Sequence, residues 1–187
     1  CDTCGCGETG ETRIYIHGEK EDDHKAHDHH HNHSHDHDND HSHDHNHGPR
    51  KIKVETDILE ANRLLAERNR GYFEAMNSFV VNIMSSPGSG KTSLLERTIR
   101  LLKDKIRIYV IEGDQQTAND ADKILAAGAE AIQVNTGNGC HLDADMVNKA
   151  VKRLNPVKDS LIVIENVGNL VCPSLFDLGE SSRVVMV

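Results

Sequence analysis

A chain of 187 residues with a formal charge of −9 and 36% apolar side chains supports one compact domain plus accessory sequence. The acidic balance, without a dense basic patch, excludes a nucleic-acid backbone as partner. No stretch reaches the roughly 18 to 20 uncharged apolar residues of a membrane span, so we expect no membrane partner and a cytoplasmic protein.

Five cysteines, an odd number with no basic-then-apolar leader ahead of them, point away from a disulfide framework and toward metal or redox chemistry in a reducing compartment. Three of them open the chain in "CDTCGC". Cys1, Cys4 and Cys6 can converge on one soft or borderline cation, with Gly5 allowing a tight backbone turn. The alternative is a redox Cys-x-x-Cys, which belongs inside a thioredoxin-like βαβ pattern that is not found here. After an unassigned "TRIYIHG" comes a tract holding His24, His27, His29, His30, His31, His33, His35, His37, His41, His43, His45 and His47. Interspersed Asp, Asn and Ser distinguish it from an uninterrupted affinity tag. Neutral imidazoles suit nickel, copper, zinc and cobalt, and a flexible cluster of them should hold several ions with modest selectivity. Such a tract cannot bury a core. We divide the chain into a Cys motif at 1–7, a disordered His-rich segment at 8–50 and a globular domain at 51–187.

Apolar spacing in "ETDILEANRLLAERNRGYFEAMNS" predicts a leading helix weakened by Gly71. "FVVNIM" reads as a short buried strand running into a Gly-rich turn, and "KTSLLERTIRLLKD" as an amphipathic helix. "IRIYVIEGD" is a second strand of this kind. "TANDADKILAAG" is a helix with Thr117 as N-cap and Gly128 at its end, and "AIQVN" a further strand. "LDADMVNKAVKRLN" is a helix stopped before Pro156, and "SLIVIEN" and "SRVVMV" are strands. The alternation predicts an α/β fold with a mainly parallel sheet and crossover helices.

"SSPGSGKT" matches G-x-x-x-x-G-K-[ST] except that Ser85 stands where the first Gly belongs. Between a strand and a helix it predicts a P-loop. Backbone N–H groups of Gly88, Ser89, Gly90, Lys91, Thr92 and Ser93 would face a phosphate at the helix N-terminus, Lys91 would reach the β/γ-phosphates, and Thr92 would hold Mg²⁺. Carboxylates that manage the metal and water belong at neighbouring strand ends. Asp114 and Glu165 stand there, and Gly168 follows where a backbone N–H could sense a γ-phosphate. Cys140-His141 and Cys172 lie on two loops leaving strands on this same side. They form either a metal site whose geometry the nucleotide alters or unrelated buried cysteines.

Taken together, "CDTCGC", the His tract, "SSPGSGKT", "EGDQQTANDADKI", "TGNGCHLDADMV" and "ENVGNLVCPSLFDLGE" resemble the HypB family of hydrogenase-maturation GTPases. The resemblance covers essentially the whole chain and implies a SIMIBI-class P-loop GTPase that dimerises on binding GTP. It implies GTP/GDP, Mg²⁺, Ni²⁺ and Zn²⁺ as cofactors or cargo. A nickel-binding accessory protein such as HypA and the hydrogenase large subunit are the implied partners. Carried onto these residues, Cys1, Cys4 and Cys6 would be a tight nickel site, and Cys140, His141 and Cys172 a weaker nickel or zinc site near the dimer interface. Lys91, Asp114 and Glu165 would carry GTP hydrolysis, with Thr92, Asp114 and Glu165 around Mg²⁺. Serine at position 85 is also the family's residue. The guanine-specifying Asn/Ser-Lys-x-Asp element is expected after "VVMV", so the domain reads as incomplete at its C-terminal end and guanine specificity rests on the resemblance. Two other readings differ in class: a nickel-storage protein with an idle or regulatory P-loop, and a GTPase chaperone for another nickel enzyme such as urease.

Overall fold

A computed structural model describes residues 13–16, 48–114, 119–137 and 139–187. Cys1, Cys4, Cys6, the histidines from His24 to His47 and the expected cap Thr117 lie outside the described residues.

In chain order the elements are β1 (Arg13–Ile16), α1 (Gly48–Ala75), β2 (Phe79–Ser85), α2 (Lys91–Leu102), β3 (Ile108–Asp114) and α3 (Asn119–Ala127). There follow β4 (Glu130–Asn135), α4 (Ala144–Leu154), β5 (Leu161–Glu165), α5 (Cys172–Leu175) and β6 (Ser182–Met186). They build one sheet in the order β1-β4-β3-β5-β2-β6. From β4 to β6 every pairing is parallel, and among the described residues only β1 runs antiparallel, on β4. The α/β alternation read from the sequence is therefore the architecture found. Parallel strands joined through helices bury both faces of a sheet, which is why their sequences read as continuous apolar runs.

Each face has its own core. Ile111, Ile132, Val134, Ile162 and Ile164 pack with Phe73 of α1, Val147 and Val151 of α4, and Leu142 and Leu178 from loops. On the opposite face Val110, Ala131 and Val163 meet Leu95 and Ile99 of α2 and Ile124 of α3. Neighbouring strand residues enter opposite clusters, as the period of two requires.

Helix ends follow local chemistry. The Asp143 side chain accepts a hydrogen bond from Met146 N at 2.8 Å, capping α4, and Asn155 closes that helix at φ 45°. Gly128, at φ 109°, ends α3 as expected.

Three features depart from the sequence reading. The segment 8–50, expected to be disordered throughout, contains β1. Ile14 packs against the α1/α4 core, and the strand pairs with the edge of β4, whose open backbone groups offer it hydrogen bonds. The leading helix, expected from Glu55, starts at Gly48, ahead of the expected domain boundary at 51; Pro49 falls in its first turn, where a missing N–H costs nothing. A four-residue helix, α5, carries Cys172, too short to leave a periodic signal.

Candidate nucleotide and metal site

The loop between β2 and α2 turns on two glycines. Gly88 at φ 73° and Gly90 at φ 86° adopt the left-handed conformation that favours Gly. Gly90 serves as N-cap of α2, so Lys91, Thr92 and Ser93 form the first turn of a helix whose N–H groups face outward. Ser85, fully buried at the end of β2, organises the loop from within. Its Oγ accepts from Ser89 Oγ at 2.5 Å and from Lys91 Nζ at 2.7 Å, while it donates to Ser86 O at 2.7 Å. A hydroxyl at this position thus ties the lysine to the loop, which gives the departure from the Gly pattern a physical reason.

An open cavity of about 450 Å³ lies over this loop, lined by residues 87–93 together with Glu112, Gly113, Lys123, Glu165, Asn166 and Gly168. Thr92 Oγ1 donates to Glu165 Oε1 at 2.9 Å. Glu112 stands opposite Glu165 in the β3–β5 register, and both carboxylates are buried. A threonine hydroxyl with two carboxylates at the mouth of an anion-cradling loop is a hard-oxygen donor set of the kind Mg²⁺ takes beside phosphates. Gly168 backs onto the loop, where an added Cβ would lie 3.2 Å from Pro87 Cα. Of the residues expected around the nucleotide, Gly88, Ser89, Gly90, Lys91, Thr92, Ser93, Glu165 and Gly168 all line this one cavity. Asp114 ends β3 opposite Asn135, and only its backbone is described.

A second cluster lies beyond the loop that follows Glu165. One ligand atom each from Cys140, His141 and Cys172 lie within 4.8 Å of one another, all three side chains half-buried. Cys140 Sγ is 3.6 Å from His141 Nδ1. Around a tetrahedral ion with bonds of about 2.0 to 2.3 Å, ligand atoms sit roughly 3.5 to 3.8 Å apart, so the set closes on a metal with little movement. The adjacent Cys140 and His141 side chains converge. A turn ties Gly139 N to Thr136 O at 2.9 Å and Thr136 Oγ1 to Gly139 O at 2.7 Å, and the His141 ring stacks on Phe176 with centroids 3.9 Å apart. Burial pushes the His141 pKa down, opposed by the nearby Asp143 charge, which favours the neutral imidazole a metal needs.

Comparison with known proteins places this arrangement. The family model described as CobW/HypB/UreG, nucleotide-binding domain, matches residues 79–182, from the start of β2 into β6. A hydrogenase maturation factor HypB of Escherichia coli K12 is 44% identical over 215 aligned positions, covering all of this chain and 73% of the relative.

The chain belongs to the HypB family.

A HypB from Rhizobium leguminosarum bv. viciae is 60% identical over 138 residues, which cover 74% of this chain and 46% of the relative. The match thus spans about half of that HypB's length. A crystal structure of HypB from Helicobacter pylori in complex with nickel superposes with a TM-score of 0.62 at 41% identity, covering 67% of this chain and 59% of that one. Within the HypB family this domain is a nucleotide-binding P-loop domain, and the cavity described above is where its loop opens. Among the described residues no helix is long and apolar enough to cross a membrane.

Sequence reasoning passed over Glu112, Asn166 and Phe176. Glu112 is the fifth residue of a seven-residue strand, and its partnership with Glu165 follows from strand order. Asn166 lies beside a residue that was chosen, and Phe176 reveals its role only by stacking.

Proposed function

We propose that this chain hydrolyses GTP to GDP and phosphate and uses the cycle to deliver nickel during hydrogenase maturation. The observation that carries the reading is a single short segment that serves both sites. The segment from Glu165 to Cys172 begins in the nucleotide cavity and ends in the thiolate–imidazole cluster. The nickel-bound relative and the family's role in hydrogenase maturation support the choice of cargo.

In this reading, N–H groups of residues 88–93 hold the phosphates and Lys91 faces the β/γ oxygens. Thr92, Glu165 and Asp114 would hold Mg²⁺, with Glu112 beside them; the bound ion would neutralise charge on the β- and γ-oxygens. Water attacks the γ-phosphorus as its bond to the β–γ bridging oxygen breaks, and Lys91 offsets the charge left on GDP. Gly168 N–H senses whether the γ-phosphate is present. Cys140, His141 and Cys172 hold nickel or zinc, with Cys1, Cys4 and Cys6 as a tighter nickel site and the histidines from His24 to His47 as a store. GTP-dependent dimerisation, transfer to or from an accessory protein such as HypA, and the hydrogenase large subunit as recipient belong to the same proposal, as does a cytoplasmic location.

The test loads the protein with nickel and measures transfer to an apo hydrogenase large subunit in the presence of GTP, GDP or ATP. We expect transfer to require GTP and to fall with turnover in Lys91→Ala. Equal transfer with GDP would overturn the reading in favour of a storage protein with an idle P-loop.

A further inference from the structure

The two metal-bearing loops come from distant parts of the chain, and one helix holds both. Asn62 of α1, buried, accepts from Ala144 N through Oδ1 at 2.9 Å and donates to Asp177 O through Nδ2 at 2.8 Å. Ala144 follows His141 by three residues, and Asp177 follows Cys172 by five. Two helical turns further on, Asn69 donates to Ala144 O at 2.8 Å and to Leu178 O at 3.1 Å, and accepts from Asn148 Nδ2 at 2.8 Å. Each amide therefore bridges the same two segments, and Ala144 is gripped through both its N–H and its carbonyl. Between the two asparagines Gly179 presses onto the helix, so closely that an added Cβ would meet Ala66 O at 2.6 Å. Arg70 completes the attachment, donating to Asp177 Oδ2 at 2.7 Å and to Glu180 O at 3.2 Å.

We propose that Asn62 is a positioning residue for the Cys140–His141–Cys172 metal site, setting the separation of its two loops through one bridging amide. The inference rests on the reading of that cluster as a metal site. Its physical basis is the intolerance of a three-ligand site to displacement. Asn69 ties the same two segments further along α1, and His141 stacks on Phe176; stacking leaves sliding in the ring plane unopposed, whereas the two hydrogen bonds of the Asn62 amide, the one nearer Asp177, fix both distance and direction. Groups that orient metal ligands without touching the ion typically change metal affinity by about 10- to 100-fold when removed. Asn62 lies outside the nucleotide cavity, so its loss acts on the metal side.

Cobalt(II) titrated into the full chain reports directly, because thiolate-to-cobalt charge transfer is visible. The component of that band lost in Cys172→Ala belongs to this cluster, separating it from the N-terminal cysteines. Asn62→Ala removes both bridging bonds; Asn62→Asp keeps the acceptor for Ala144 N and loses the donor to Asp177 O. We expect both variants to weaken the Cys172-dependent component by about 10-fold or more and to change its band shape, with circular dichroism retaining the native fold for Asn62→Asp. Unchanged cobalt affinity and band shape in Asn62→Asp, even with a lowered thermal midpoint, would overturn the inference and leave Asn62 a purely structural residue. A wild-type chain with no Cys172-dependent component would instead overturn the metal-site reading and the inference with it.

Discussion

Lys91 and Glu112 show how differently two residues of one cavity announce themselves. Lys91 is legible in the sequence because its distance from Gly88 and Gly90 is fixed within one loop, and Thr92 and Ser93 follow by the same logic. If Lys91 offsets phosphate charge as proposed, Lys91→Ala should lower GTP turnover by roughly 10²- to 10³-fold, measured as phosphate release at saturating Mg²⁺. Glu112 is illegible because its neighbourhood depends on β5 inserting between β3 and β2, a pairing between positions 53 residues apart that places it opposite Glu165. If the two carboxylates act together on the cation, Glu112→Gln should raise the Mg²⁺ concentration for half-maximal turnover about tenfold, the scale of a lost supporting ligand, with little effect on nucleotide binding without metal. An unchanged Mg²⁺ requirement would limit Glu112 to shaping the cavity wall.

At the scale of elements, two glycines that look alike in the sequence should respond in opposite ways. Gly71 lies within α1, and an added Cβ there meets nothing within 4 Å. Gly71→Ala should stabilise the domain by about 0.5–1 kcal/mol, since Gly loses more backbone freedom than Ala on entering a helix. Gly179 has φ 86° and its missing Cβ would fall 2.6 Å from Ala66 O and 2.8 Å from Arg70 N. Gly179→Ala combines left-handed strain with a clash against helix backbone that cannot move aside. It should cost about 2–4 kcal/mol, read as a lower urea midpoint. The sequence reveals α1 to α4 and β2 to β6 because each carries its own periodicity or apolar run. It conceals β1 and α5: four residues support no period, and β1 is a strand only by virtue of β4.

At the scale of the whole molecule, the proposed function requires the nucleotide cavity to communicate with the Cys140–His141–Cys172 cluster. The sequence placed both sites at the same edge, because parallel strands deliver their following loops to one side. It also offers one connection between them, the segment from Glu165 through Gly168 to Cys172, but not a second, which is a side-chain contact between distant segments. Asn166, 1% exposed, supplies it. It lines the nucleotide cavity, its Oδ1 accepts from Leu142 N at 3.2 Å and from Val167 N at 3.0 Å, and its Nδ2 donates to Asn82 Oδ1 at 3.3 Å. Leu142 follows His141 directly, so a shift of the segment around Gly168 on nucleotide exchange would pull on the loop that carries two of the three metal ligands. If GTP changes nickel affinity at this cluster, nickel must change GTP affinity by the same factor, and couplings of this kind run from about 5- to 150-fold. We expect nickel affinity measured with GDP and with a non-hydrolysable GTP analogue to differ in the wild-type protein. The ratio should fall toward one in Asn166→Ala, while binding of nickel alone and of GDP alone changes much less. Asn62→Asp should do the reverse, weakening nickel in both nucleotide states and preserving the ratio. A ratio that survives the loss of Asn166 would place the connection in the Gly168–Cys172 backbone instead.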